Sequence, residues 1–215
     1  LEDLLGGETV ALEAKKMTEY LAGGTVLVTG AGGSIGSELV RLVAGFSPKE
    51  VLLMGRGENS VYEIDRELAT HYPDVARVPV IGSVTNRVSL DKLFGEHRPD
   101  IVFHAAAHKH VHLMEFFPEE AIMNNVMGTR LLIETAERYG VERLVMLSTD
   151  KAMRPRGVMG ASKRLAELAM LRKAEEGCAT KLIAVRFGNV LGSRGSVVPM
   201  FRQQVRLGGP VTVTH

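Results

Sequence analysis

The run "VLVTGAGGSIGSEL" does most to limit what this chain can become. It sets Gly30, Gly33 and Gly36 between an apolar, β-branched stretch and an amphipathic one. A strand that passes into a helix across such a loop needs glycine for three separate reasons. The first makes the tight turn, the second lets a ligand approach the backbone, and the third brings helix and strand into close contact. The helix is expected to begin near Ile35, so Ser34 and Ile35 would present free N–H groups and the positive end of the helix dipole. Gly30, Gly33, Ser34, Ile35 and Gly36 are therefore candidates for holding a dinucleotide pyrophosphate. The plainer alternative is a glycine-rich turn that binds nothing.

The rest of the chain repeats the same rhythm. Apolar runs at residues 25–30, 50–55, 75–82, 100–107, 143–149 and 181–188 predict six strands. Segments of 3.6-residue periodicity at 35–44, 60–70 and 161–175 lie between them, and 199–207 should form one more helix. Continuous apolar strands separated by helices imply a parallel sheet covered on both faces, a doubly wound α/β domain. Residues 1–24 fall outside this pattern and read as an arm with a short amphipathic helix, and 25–215 as the dinucleotide-binding domain. "PVTVTH" reads as the start of a last strand. The chain opens on Leu1 and stops inside that run, so the expectation is a piece of a longer protein.

Charge narrows the partners. Lys and Arg total 26 against 25 Asp and Glu, interspersed along the chain, so no net field draws it to nucleic acid. The one cysteine, Cys178, excludes an internal disulfide and fits a reducing compartment such as the cytoplasm. No apolar run approaches the roughly 18 residues of a membrane span.

The acid that usually ends the second strand and holds the adenosine ribose is missing, since "VLLMGRGEN" has Gly55 and Arg56 there. Glycine leaves room for a 2′-phosphate and a guanidinium can pair with one, so NADP is permitted beside NAD. Arg56 as a solvated loop charge is the other reading. Ser83 and Val84 should lie near the adenine edge. From the fourth strand into the loop after it, His104, His108, His110 and His112 fall within nine residues, but their spacing matches no convincing metal site, and a ligand-facing loop is expected instead.

The runs "VTGAGGSIGSEL", "FHAAAHKHVHLME", "NNVMGT", "STDKA", "VMGASKR" and "VRFGNVLGSRGSVVP", in this order, resemble the CapD-like polysaccharide biosynthesis family of nucleotide-sugar 4,6-dehydratases. These are extended short-chain dehydrogenase/reductases. The resemblance implies a UDP-sugar substrate of the UDP-N-acetylglucosamine type, NAD or NADP as cofactor with Ala105 and Ala106 beside it, and pairing into dimers or higher oligomers through helices after strands four and five. Leu131, Leu132, Leu165, Leu168 and Leu171 supply apolar positions on those helices. It also implies a sugar-binding C-terminal part beyond this piece. The opening "LEDLLGGETVALE" resembles the linker of membrane-anchored members, which would make the chain a cytoplasmic domain of an inner-membrane protein. Departures are His108 for tyrosine, His112 for proline, Gly55 for aspartate, and Arg154 and Arg156 for asparagine and threonine.

Short-chain dehydrogenases generally place a tyrosine four residues before the lysine, here Lys163, but this chain has Met159. None of Tyr20, Tyr62, Tyr72 and Tyr139 has a lysine four positions on. The resemblance therefore moves the chemistry to "STDK". Asp150 would be the acid that protonates the departing C6 hydroxyl, Lys151 the base that takes the C5 proton, and Thr149 a hydrogen-bond partner of the C4 oxygen. Those roles call for a raised carboxyl and a lowered amine, both expected from burial. Lys163 would contact the nicotinamide ribose. Lys109, His110 and Asn125 would organise the active-site floor and the substrate side, and Asn189, Ser193 and Ser196 the substrate diphosphate. Arg186 reads as a structural ion-pair partner. A 4-epimerase, or a non-catalytic dinucleotide-binding module, stays open beside the dehydratase.

Overall fold

The computed structural model describes residues 14–190 and 197–211. Its six strands are β1 (Thr25–Thr29), β2 (Glu50–Gly55), β3 (Ala76–Ile81), β4 (Ile101–His104), β5 (Arg143–Leu147) and β6 (Lys181–Val185). They form one parallel sheet in the order β3-β2-β1-β4-β5-β6. The strands expected from the apolar runs are all present. However, β4, β5 and β6 stop two or three residues before the runs do. The apolar residues 105–107 are thereby left to the loop.

The helices are α1 (Ala14–Leu21), α2 (Ser34–Ala44), α3 (Glu58–His71), α4 (Arg87–His97), α5 (Val111–Phe116), α6 (Pro118–Ala121), α7 (Gly128–Arg138), α8 (Val158–Glu175) and α9 (Val197–Arg206). A π-helical stretch, Ile122–Met127, joins α6 to α7, and a single 3₁₀ turn, Asp150–Ala152, follows β5. Of the expected last strand, 212–215 lie outside the described residues.

The two-residue period of the strands explains why they read as unbroken apolar runs. Val26 and Val28 of β1 and Val51 and Leu53 of β2 pack with Val40, Val43, Ile64 and Leu68 of α2 and α3. Leu27, Leu52 and Met54 point the other way, to Phe94 of α4, Leu132 of α7 and Met170 of α8. Both faces of β1 and β2 are buried, so no polar residue alternates along their centres, whereas the edge strands β3 and β6 are only partly covered. Pro79 lies in β3, which pairs only with β2, so its missing N–H falls on an edge strand. From the arm, Leu21 is buried and Met17 packs on the α2–α3 side of the sheet.

α8 divides its faces. Met159, Ser162, Lys163, Ala166, Glu167 and Met170 turn inward, while Leu165, Leu168 and Leu171 remain exposed. Leu132 does not face outward as its sequence position allowed: it is fully buried, and Leu131 packs against the same core. Strand order reverses between β1 and β4, opening a crevice at their carboxyl ends, where ligands of open α/β sheets bind.

Candidate functional site

The glycine loop sits at the lip of that crevice. Gly30 has φ of +72°, and a Cβ there would lie 2.8 Å from the Ala105 carbonyl and the Ala106 nitrogen. At Gly36 a Cβ would collide with the carbonyl of Gly30. No side chain fits either position, so the backbone itself forms the cradle. α2 starts at Ser34, with Gly33 as its N-cap and no side chain covering the end. A pyrophosphate fits this donor set.

The cleft above the loop is lined by Gly30 and Gly33, by Arg56 past β2, by Ser83 and Val84 past β3, and by Ala105 and Ala106 past β4. Ser34, Ile35 and Gly36 lie just behind it, in the first turn of α2. Gly55 lacks an acidic side chain for a steric reason as well, since a Cβ would press to 2.8 Å on Val61 Cγ2 in the core. Arg56 is exposed, and its Nη2 lies 3.0 Å from His108 Nε2 on the loop after β4.

Beneath the cleft runs a chain of hydrogen bonds that the histidine count did not foretell. His104 is buried, with Nδ1 2.8 Å from Thr29 Oγ1 and Nε2 2.9 Å from Thr129 Oγ1. Thr129 spends its hydrogen on the Asn125 carbonyl at 2.6 Å, so it must accept from His104, whose proton is therefore on Nε2. Thr29 then donates to Nδ1 and accepts from the Ala106 N–H. Burial, with Lys163 nearby, pushes His104 down to about 3, and it stays neutral. The same chain reaches Asn125, whose side chain accepts from His108 N at 2.8 Å and donates to His108 O at 3.0 Å and Ser162 Oγ at 2.9 Å. Asn125 is thus buried and spent on holding the loop against α8. It lies under the loop as part of the floor of the site.

At the carboxyl ends of β5 and β6, Thr149 caps the 3₁₀ turn and Asp150 N–H bonds to Phe187 O, carrying the strand pairing onward. Lys151 Nζ donates to Asp150 Oδ1 at 3.0 Å and to Asn189 Oδ1 at 3.1 Å, and Thr149 Oγ1 donates to Asp150 at 2.9 Å. Asn189 is brought to the lysine itself. The carboxyl of Asp150 is lowered, first by its bond from Lys151 and then by that from Thr149. This corrects the expectation of a raised carboxyl: the side chain is 53% exposed, so the upward push of burial is outweighed by the bonds from Lys151 and Thr149.

Lys163 lies on the inner face of α8, four residues before Glu167. It is buried, its Nζ donates to Leu147 O at 2.7 Å, and burial lowers it to about 8. Glu167 instead takes Arg186 through both oxygens at 2.8 and 2.6 Å, with Arg164 and Ser148, and is held down to about 2, chiefly by Arg186. Met159 is buried against Met114 and Ala121. Among the described residues no tyrosine lines the cleft or bonds to Asp150, Lys151 or Lys163. Lys109 and His110 are exposed at the start of α5, and Ser193 and Ser196 lie outside the described residues. No cluster of metal-ligating side chains occurs among the described residues.

Sheet order, glycine cradle and crevice define a Rossmann-type domain of the extended short-chain dehydrogenase/reductase class. Residues 26–215 match the family described as polysaccharide biosynthesis protein, and the chain belongs to that family. It is 51% identical to the capsular polysaccharide biosynthesis protein CapD of Staphylococcus aureus across all of this chain, which spans 36% of CapD. Among solved structures, Pen from Bacillus thuringiensis superposes with a TM-score of 0.83 at 32% identity over 91% of this chain and 59% of Pen. UDP-glucose 4-epimerase from Thermus thermophilus, solved with NAD, gives 0.71 at 27% over 88% of this chain and 65% of its own.

Proposed function

We propose that this chain is the cofactor-binding and catalytic part of an NAD(P)-dependent nucleotide-sugar 4,6-dehydratase in polysaccharide biosynthesis, acting on a UDP-N-acetylglucosamine-type substrate. The observation that carries the reading is the hydrogen-bonded group Thr149–Asp150–Lys151–Asn189 past the carboxyl ends of β5 and β6, while Met159 is buried among apolar side chains. Dehydration needs an acid and a base on neighbouring carbons, and an acid and an amine side by side supply them.

The bound dinucleotide would take the C4 hydride and return it at C6. Everything else falls to the chain. Lys163, fixed by Leu147 O, is assigned to the nicotinamide ribose. Thr149 would bond the C4 oxygen. The Asp150–Lys151 ion pair is one proton shift along a 3.0 Å hydrogen bond from the carboxylic acid and free amine that the roles require. A substrate that covers the pair and excludes water favours that neutral form, because desolvation penalises both charges.

Incubating UDP-N-acetylglucosamine in deuterated water with the chain, alone and extended to the length of its relatives, tests this by mass spectrometry. Loss of one water with deuterium at C5 is expected. The Thermus likeness favours a second reading, C4 epimerisation, which would keep the C6 hydroxyl and leave C5 without deuterium. That product would overturn the dehydratase.

A further inference from the structure

His108 and Arg56 come from elements 52 residues apart and meet at the mouth of the cofactor cleft, which both of them line. Arg56 is always a cation and can only donate, so at 3.0 Å His108 Nε2 must be the acceptor, with its hydrogen on Nδ1. The imidazole is consequently neutral. Three charged or titratable groups act on it: Arg56 past β2, Glu120 on α6, whose Oε2 is 3.6 Å from Nε2, and His110 on its own loop. Burial first and Arg56 second hold His108 below its ordinary value, and Glu120 opposes them. If His108 gained a proton, Nε2–H would face the guanidinium, and its remaining acceptor would be Glu120.

We infer that Arg56 and His108 together form a site for the 2′-phosphate of NADP, in which the phosphate binds with uptake of a proton on His108. A dianion lodged between the two groups gives each an acceptor oxygen. It removes the need for His108 to accept from Arg56 and turns a repulsive pair of cations into two charge-assisted hydrogen bonds. The 2′-hydroxyl of NAD carries no such charge, so its binding should involve no proton at this position. Asn125 holds the backbone of residue 108 on both its N–H and its C=O, so the anchor of the imidazole does not depend on its own side chain.

This rests on the cofactor reading above, and NAD serves to separate the two. Calorimetry of the purified chain with NADP and with NAD is run at about pH 7.5, above the phosphate's own titration near 6, in buffers of different ionisation heat. NADP should bind with net proton uptake, and its dissociation constant should rise with pH, by up to about tenfold per unit as one bound proton allows. NAD should show neither. His108→Gln should abolish the uptake and flatten the NADP profile, and Arg56→Ala should weaken NADP at every pH. Wild-type NADP binding without proton uptake, uptake that persists in His108→Gln, or NAD binding with no NADP binding at any pH would each overturn the inference. Failure of both dinucleotides to bind would overturn the cofactor reading itself.

Discussion

Met159 occupies the place where a phenol would stand, and its surroundings explain why a hydroxyl there would be out of place. It is packed on Met114 and Ala121, where a buried O–H would need a partner. On the proposed reading, proton transfer falls to Asp150 and Lys151. Lys151→Ala should block C5 deuterium exchange while dinucleotide binding persists, measured by mass spectrometry and calorimetry. Asp150→Asn should keep C5 exchange but slow C6 water loss by roughly 10²–10⁴-fold, the usual contribution of a general acid. The glycine loop offers a second check. Gly36→Ala puts a methyl group into the Gly30 carbonyl, so dinucleotide binding should be lost and thermal stability should fall by about 1–3 kcal/mol, the usual size of overpacking.

Glu167 and Glu115 act between elements. Glu167 ties α8 to β6 through Arg186, and its carboxyl is held at about 2 against an ordinary 4.5. A depressed carboxyl contributes stability that is fully present above the ordinary value and lost as pH falls through the folded one. Thermal unfolding temperature should therefore drop between about pH 4.5 and 2, with at most about 3 kcal/mol involved, and Glu167→Gln should remove that part of the pH dependence. Glu115 on α5 accepts the N–H of Val158 at 2.8 Å and so caps α8 from a separate helix. Gly157 permits this, since a Cβ there would meet Glu115 Oε1 at 2.5 Å. Glu115→Ala should cost about 1 kcal/mol in thermal denaturation, the scale of a lost cap, with Glu115→Gln recovering most of it.

Among the described residues, large apolar side chains after β4 and β5 leave an apolar surface uncovered. Phe116, Phe117, Met123 and Met127 on α5 to α7, and Leu165, Leu168 and Leu171 on α8, are all at least 40% exposed. We expect a second copy of the chain to cover this face, as the family resemblance implies. Sedimentation should show dimers at micromolar concentration, and Leu168→Glu should return them to monomers without unfolding the sheet. Monomer throughout that range would reject the expectation. No helix among the described residues is long and apolar enough to cross a membrane.

The parallel sheet, its six strands and the glycine cradle could be read from the chain because each rests on local pattern. A two-sided buried strand shows as an unbroken apolar run, and a strand-to-helix turn around a ligand shows as glycines at fixed spacing. The candidate pair Asp150 and Lys151 came from the family resemblance, since adjacency alone fits a capping turn as well as an acid-base pair. Residues far apart in the chain were not. Only the tertiary structure joined Lys151 to Asn189, His108 to Arg56, and His104 through two threonines to Asn125, because the strand order decides which loops share an end of the sheet. It also decided protonation. Whether Lys163 is buried and Asp150 exposed depends on how the elements pack around them, so Lys163 was lowered by burial while the Asp150 carboxyl, expected to rise on burial, was lowered by its bonds from Lys151 and Thr149.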